Sequence, residues 1–233
     1  MNGQSSYSIK RVVLTLTMAL LLLLVACGEN RNASKDFDTG EDKAAEPANL
    51  KKGIKPEADT EVAVIETADY GKIVIELYPN IAPQMVARFK QLIREGFYNG
   101  TSFHRLDPEL GIIQGGDPLS KDNDPANDGT GNSPYPNVPG EFSDIPFDRG
   151  IVGAARRGEG GGISDEQARD TANCQFYITL KRQPAFDKNY AVFGRVIEGI
   201  NNADVIMGAP VEAGTSHPVD KIVVRSITLQ KKS

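Results

Sequence analysis

A chain of 233 residues has room for one sizeable domain and an appendage, since domains usually hold roughly 100–200 residues. With 39% hydrophobic and 24% charged residues and a net charge of −5, it has a globular composition and no basic face for nucleic acid. The 23 glycines and 14 prolines, without a tryptophan, favour a turn-rich β or mixed domain over a helical bundle.

At the N-terminus, Lys10-Arg11 precedes an apolar run over 12–26 that closes in Leu24-Val25-Ala26-Cys27-Gly28. A basic start, an apolar stretch and small residues before a cut form a secretory signal peptide. The run is shorter than the roughly 20 residues a membrane-spanning helix needs. Leu-Val-Ala-Cys also resembles the bacterial lipobox, which implies removal of residues 1–26 and lipidation of Cys27. A diacylglyceryl group joined by an amide-linked chain anchors stably, so the protein is expected on a membrane surface of the bacterial cell envelope, facing the exported side. Cys174 then lacks a partner in the chain. Residues 27–58 are polar, cannot bury enough apolar surface to offset their ordering entropy, and read as a flexible tether before a domain over 59–233.

Within that domain, 61–67 and 72–77 are rich in β-branched residues, and Ile73, Ile75 and Leu77 alternate with more polar neighbours. Ala68-Asp69-Tyr70-Gly71 joins the two as a hairpin. Over 83–95, Val86, Phe89 and Ile93 recur at helical spacing, with Pro83 suited to the first turn and Gly96 to the position past the end. Strands follow at 103–106 and 111–115, and then a long loop over 116–141. Its acids Asp117, Asp122, Asp124 and Asp128 lack the spacing of an EF-hand, so no metal is expected. A small-residue strand at 150–156 leads into a Gly-rich insertion, with one helical turn over 163–170. Further strands are expected at 173–179, 190–196 and 221–229.

Phe103-His104-Arg105, then Ile112-Ile113-Gln114-Gly115-Gly116-Asp117, Gln175-Phe176-Tyr177-Ile178-Thr179, Phe186-Asp187 and Val192-Phe193-Gly194-Arg195-Val196 stand in one order over residues 61–230. This succession resembles the cyclophilin family of peptidyl-prolyl cis/trans isomerases. The resemblance implies a mainly β domain, a closed eight-stranded antiparallel β-barrel capped by two α-helices, with a groove on its outer face. It implies catalysis by Arg105 as donor to the prolyl nitrogen and by Gln114 beside it. It further implies a substrate-binding surface of Phe103, Ile112, Ala155, Arg156, Tyr177, Phe186 and Tyr190, with Arg156 contributing backbone. Isomerisation makes and breaks no bond, so no cofactor is expected. The expected partners are proline-containing peptides or unfolded proteins, and nothing in the sequence demands more than a monomer.

His104 invites the role of general base, but isomerisation moves no proton, and alternation turns it from the face of Arg105. A hydrogen-bonded structural histidine is expected. Three departures from the family pattern stand out. The loop between Arg105 and Gln114 is one residue longer than usual, with Leu110 or Gly111 where a pocket phenylalanine is common. Ala185 replaces a tryptophan that in eukaryotic members binds cyclosporin, so weak inhibition is expected. The rim over 156–172 is lengthened. Two other functions fit the same sequence: a proline-peptide binding module or chaperone with weak catalysis, and a solute-binding lipoprotein.

Overall fold

The computed structural model describes residues 46–158 and 163–232. Within them β1 (Glu61–Thr67), β2 (Lys72–Leu77), β3 (Phe103–Asp107), β4 (Ile112–Gly115), β5 (Ile151–Ala154), β6 (Phe176–Thr179), β7 (Val192–Glu198) and β8 (Val224–Lys231) form one antiparallel sheet, ordered β3-β4-β6-β5-β7-β2-β1-β8. The expected signal peptide, Cys27 and the expected tether up to residue 45 lie outside the described residues, as do 159–162 of the Gly-rich insertion.

Period-two alternation sorts the side chains into two sets. Ile113, Val152, Phe176, Ile178 and Phe193 point into the main core with Ala63, Ile65, Ile73, Ile75 and Leu77. Their neighbours Ile112, Ile151, Tyr177 and Val192 face the other way and form a second apolar cluster on the outer face of β4, β6, β5 and β7. That second cluster is the one near the expected groove.

The expected closed barrel is not completed by strand pairing, because β3 and β8 stand at the two ends of the sheet. They meet at a single bridge, Ser102 opposite Val223, flanked by Phe103 N–H donating to the Ile222 carbonyl (3.0 Å) and Val224 N–H to that of Thr101 (2.7 Å). Register explains the open seam. β8 is aligned along β1 from Lys231 opposite Glu61 to Val224 opposite Thr67, whereas β3 turns away after Phe103 and Leu106 N–H donates to the Ser216 carbonyl (2.8 Å).

Helix α1 (Pro83–Arg94) buries Met85, Val86, Phe89, Leu92 and Ile93 in the core. The Phe89 ring lies 5.3 Å from Tyr98, 5.4 Å from Phe176 and 5.2 Å from Phe193, so one side chain ties the helix to β6 and β7. Ala82 precedes the helix and gives no side-chain cap. The buried Glu141 supplies one instead, its two oxygens accepting from Gln84 N–H (3.1 Å) and Met85 N–H (2.9 Å). The other core helix, α3 (Ile200–Met207), contributes Ala203 and Ile206. Between them in sequence, α2 (Asp165–Arg169) is the short helix expected in the insertion. Ser164 and Gln167 close a capping box at its start.

Residues 46–58, polar enough to read as tether, instead lie along the domain. Lys51 pairs by backbone with Phe142 (2.9 Å) and Asp144 (3.0 Å), and its ammonium donates to the Ile81 carbonyl (2.6 Å). Asn49 donates to the Gly140 carbonyl (2.6 Å), and Glu57 N–H to Asn80 (3.0 Å). Hydrogen bonding holds this strap where composition predicted freedom, because its groups find partners on loops that hydrophobicity does not register.

Candidate active site

The site begins at an irregularity in β3. Phe103 stands opposite Gly115 and Arg105 opposite Gln114, so His104 is an extra residue in a β-bulge. Residues two apart share a face in a regular strand, but here Phe103 turns inward while Arg105 turns outward. Phe103 is fully buried against Phe176 in the main core, and so is a support of the site, away from the groove where it was expected.

Past the bulge, Arg105 stands opposite Gln114 and Asp107 opposite Ile112, which places all four on the outer face. The Arg105 Nη1 donates to Gln114 Oε1 (3.3 Å) and Nη2 to Asp107 Oδ2 (2.8 Å). Gln114 Nε2 donates in turn to Gln175 Oε1 (3.0 Å). Gln175 Nε2 donates to the carbonyls of Gly129 (3.0 Å) and Gly131 (2.9 Å). This chain fixes which way each amide faces: with the Gln175 amide nitrogen on the loop carbonyls, its oxygen meets Gln114, whose oxygen then meets the guanidinium.

Two clefts flank this row. One, of about 450 Å³, is lined by Gln114, the 129–132 loop, Ala155, Arg156, Arg157, Thr171 and Gln175. The other, of about 970 Å³, runs past Arg105, Asp107, Glu109 and Asp128 to the loop over 214–217. Gln114, Gly129 and Thr130 form the wall between them.

Beside the polar row lies the apolar half. Tyr177 stacks on Phe147 (5.9 Å) and meets Phe186 (5.5 Å) and Tyr190 (5.9 Å) edge-on. Ile112, Tyr177 and Phe186 form a nearly closed floor, while Leu110, Ala155 and Tyr190 are half-buried around it. Burial drives the Tyr177 hydroxyl well above its ordinary pKa, so it stays neutral. The longer loop after Arg105 resolves here: Gly111 takes the turn at φ +63°, and Leu110 is the residue that packs on the aromatic floor. The Arg156 guanidinium lies over the Tyr190 ring (4.6 Å) and pairs with Asp165 of α2 (2.8 Å). The insertion is thereby clamped to the rim.

His104 differs from expectation. It is 2% exposed and neither ring nitrogen has a side-chain hydrogen-bond partner. The bulge sets it against Gly129 and a cavity of about 200 Å³ shared with Asp128 and His217. Burial lowers its pKa to about 4, a shift reinforced by His217 and Arg105 and opposed by the Asp117 carboxylate and the Ser102 backbone. The loop acids serve the backbone. Asp117 accepts from Leu119, Gly129 and Gly131 N–H, and Asp124 from Ala126 N–H. Cys174 is buried, its thiol pushed up to about 12 by burial, and is therefore chemically quiet.

Asp107, Gln175 and Asp165 are absent from the residues expected of the site. Gln175 had a usable signal, lying beside Phe176-Tyr177 in a recognisable block. Asp107 and Asp165 act through contacts that only the fold makes visible.

The site is thus an outer-face groove with an anchored arginine beside an aromatic floor. The chain matches the family model for cyclophilin type peptidyl-prolyl cis-trans isomerases over residues 62–229 and belongs to that family. A probable peptidyl-prolyl cis-trans isomerase of Brucella suis is 39% identical over 180 residues, covering 75% of this chain and 87% of that protein. A peptidyl-prolyl cis-trans isomerase-like 3 of Gallus gallus is 31% identical, covering 72% and 96%. The crystal structure of a cyclophilin type isomerase from Cryptosporidium parvum is similar with a TM-score of 0.63 at 27% identity, over 74% of this chain and 99% of that one. A second crystal structure of that protein, in the presence of the dipeptide Ala-Pro, gives 0.62 at 26% identity over 73% and 99%.

Proposed function

We propose that this isomerase turns X-Pro bonds in exported proteins by aiming the Arg105 guanidinium at the prolyl nitrogen while the Leu110, Ile112, Tyr177, Phe186 and Tyr190 surface grips the ring. Rotation meets a barrier of about 18–20 kcal/mol because it breaks amide resonance. In the twisted state the nitrogen lone pair localises, and a donor aimed at it stabilises that state more than either planar one. Arg105 has N–H groups to spare beyond those given to Gln114 and Asp107. No proton needs to move, in keeping with a His104 that burial keeps neutral.

The observation that carries this reading is the shared outer face. Arg105 and Gln114 are cross-strand partners, and Ile112, two residues from Gln114, begins the apolar floor. The Ala-Pro dipeptide named with the Cryptosporidium parvum relative supports proline peptides as substrates. Ala155 and the Arg156 backbone are the edge along which an extended peptide lies. We further propose that the protein is a monomer held on an exported membrane surface by a lipidated Cys27, a reading that rests on the sequence of residues 10–28.

The test is refolding of an unfolded protein limited by prolyl isomerisation, a step that otherwise takes tens to hundreds of seconds. Acceleration that an excess of Ala-Pro peptide abolishes supports a groove-based isomerase. Binding of the unfolded protein without acceleration would favour a chaperone or binding module. For the anchor, labelled fatty acid should enter the wild type and not Cys27→Ala; equal labelling of both would remove the lipid assignment.

A further inference from the structure

We infer that Asp107 is a positioning residue that joins the two halves of the site through its two carboxylate oxygens. Oδ2 accepts from Arg105 Nη2 (2.8 Å) and Oδ1 from Leu110 N–H (2.9 Å). The first contact orders the donor; the second closes the lengthened turn that carries Leu110 onto the aromatic floor. A solvent-exposed ion pair would contribute little, because both side chains must be ordered in water. This one differs on its carboxylate side: beside an Arg105 that is 39% exposed, the Asp107 side chain is 14% exposed, is fixed by a backbone N–H, and sits two rungs from the Arg105–Gln114 pair on the same face. Gln114 holds Nη1 and Asp107 holds Nη2, so two anchors on different nitrogens set the plane of the guanidinium.

The inference rests on Arg105 being the donor, and the substitutions separate the two. Asp107→Asn keeps an oxygen for Leu110 N–H but turns an amide nitrogen, itself a donor, toward the guanidinium. It should lower kcat about tenfold, the scale of one charge-assisted hydrogen bond partly replaced by Gln114, and leave KM for an Ala-Pro peptide unchanged. Asp107→Ala removes both contacts and should lower kcat similarly while raising KM several-fold. In an Arg105→Ala background, Asp107→Asn should change kcat less than twofold, because its action passes through the arginine.

All variants are compared in the full chain, with thermal unfolding as the control for folding. An inactive Arg105→Ala beside an Asp107→Asn enzyme of wild-type or higher kcat would overturn the positioning role and leave the donor intact. An active Arg105→Ala would remove the donor assignment and this inference with it. Equal losses from Asp107→Asn in both backgrounds would also overturn it, because they would show a structural effect independent of Arg105.

Discussion

Protonation of His104 should make the protein measurably less stable in mild acid. Its folded pKa of about 4 lies below the ordinary 6.5 because burial penalises the charged ring. Between those values the unfolded chain binds a proton that the folded one refuses. Stability therefore falls as pH drops through 6.5 and levels off below about 4. At about 1.4 kcal/mol for each pH unit, the gap limits the loss to about 3 kcal/mol, of which about 2 kcal/mol is reached by pH 5. Urea unfolding at pH 7 and pH 5 reads this directly when wild type is set against His104→Gln, which cannot titrate there. Other groups, including Asp128 whose carboxyl is pushed up by burial, titrate in both proteins and cancel in the difference. The wild type should lose about 2 kcal/mol more than the variant between the two pH values. An equal loss in both would refute the neutral, buried state assigned to this ring.

Removing the cap from α1 by Glu141→Ala leaves two N–H groups of the first turn without their carboxylate. The cost should be about 2–4 kcal/mol in urea unfolding at pH 7, and a loss under about 1 kcal/mol would show that water replaces it. Gly153→Ala would drive a methyl group into Tyr177 Cζ, whose ring is held by Phe147 and Phe186. The displaced floor should lower kcat/KM for an Ala-Pro peptide about tenfold, at about 1–3 kcal/mol of stability from overpacking. Cyclosporin should inhibit weakly, because the exposed Ala185 offers no indole at the rim; tight stoichiometric inhibition would contradict this.

Parts of this fold were legible where one pattern dominates. β1 and β2 occupy the expected 61–67 and 72–77, since β-branched alternation ends at a hairpin in both. Pro83 and Gly96 bracketed α1, and the helical turn expected over 163–170 is α2. β6 starts three residues later than expected because Asn173 and Gln175 spend their side chains on the 129–137 loop. α3 gave no start signal: Gly199 at φ +81° has no side chain to cap with, and Asn201-Asn202 reads as a turn.

The site was legible as blocks and illegible as contacts. Arg105, Gln114, Ile112, Tyr177, Phe186 and Tyr190 all belong to motif blocks, and the fold places them on one face. The bulge at His104, which turns Phe103 inward, and the open seam between β3 and β8 are matters of register. No local sequence pattern encodes that register. Asp107 drew no attention in the sequence, because its contacts to Arg105 and Leu110 exist only in the fold.

The measurement that bears most directly on Arg105 is the rate of cis-trans exchange in an Ala-Pro peptide at equilibrium, followed by NMR exchange spectroscopy with wild type and Arg105→Ala. Exchange involves no coupled protease, so it reports rotation alone. Wild type should bring the exchange into the sub-second range, and Arg105→Ala, folded by its unchanged thermal midpoint, should lower kcat about 10²–10³-fold, the cost of one aimed donor. A folded Arg105→Ala that exchanges the peptide as fast as wild type would contradict the central claim.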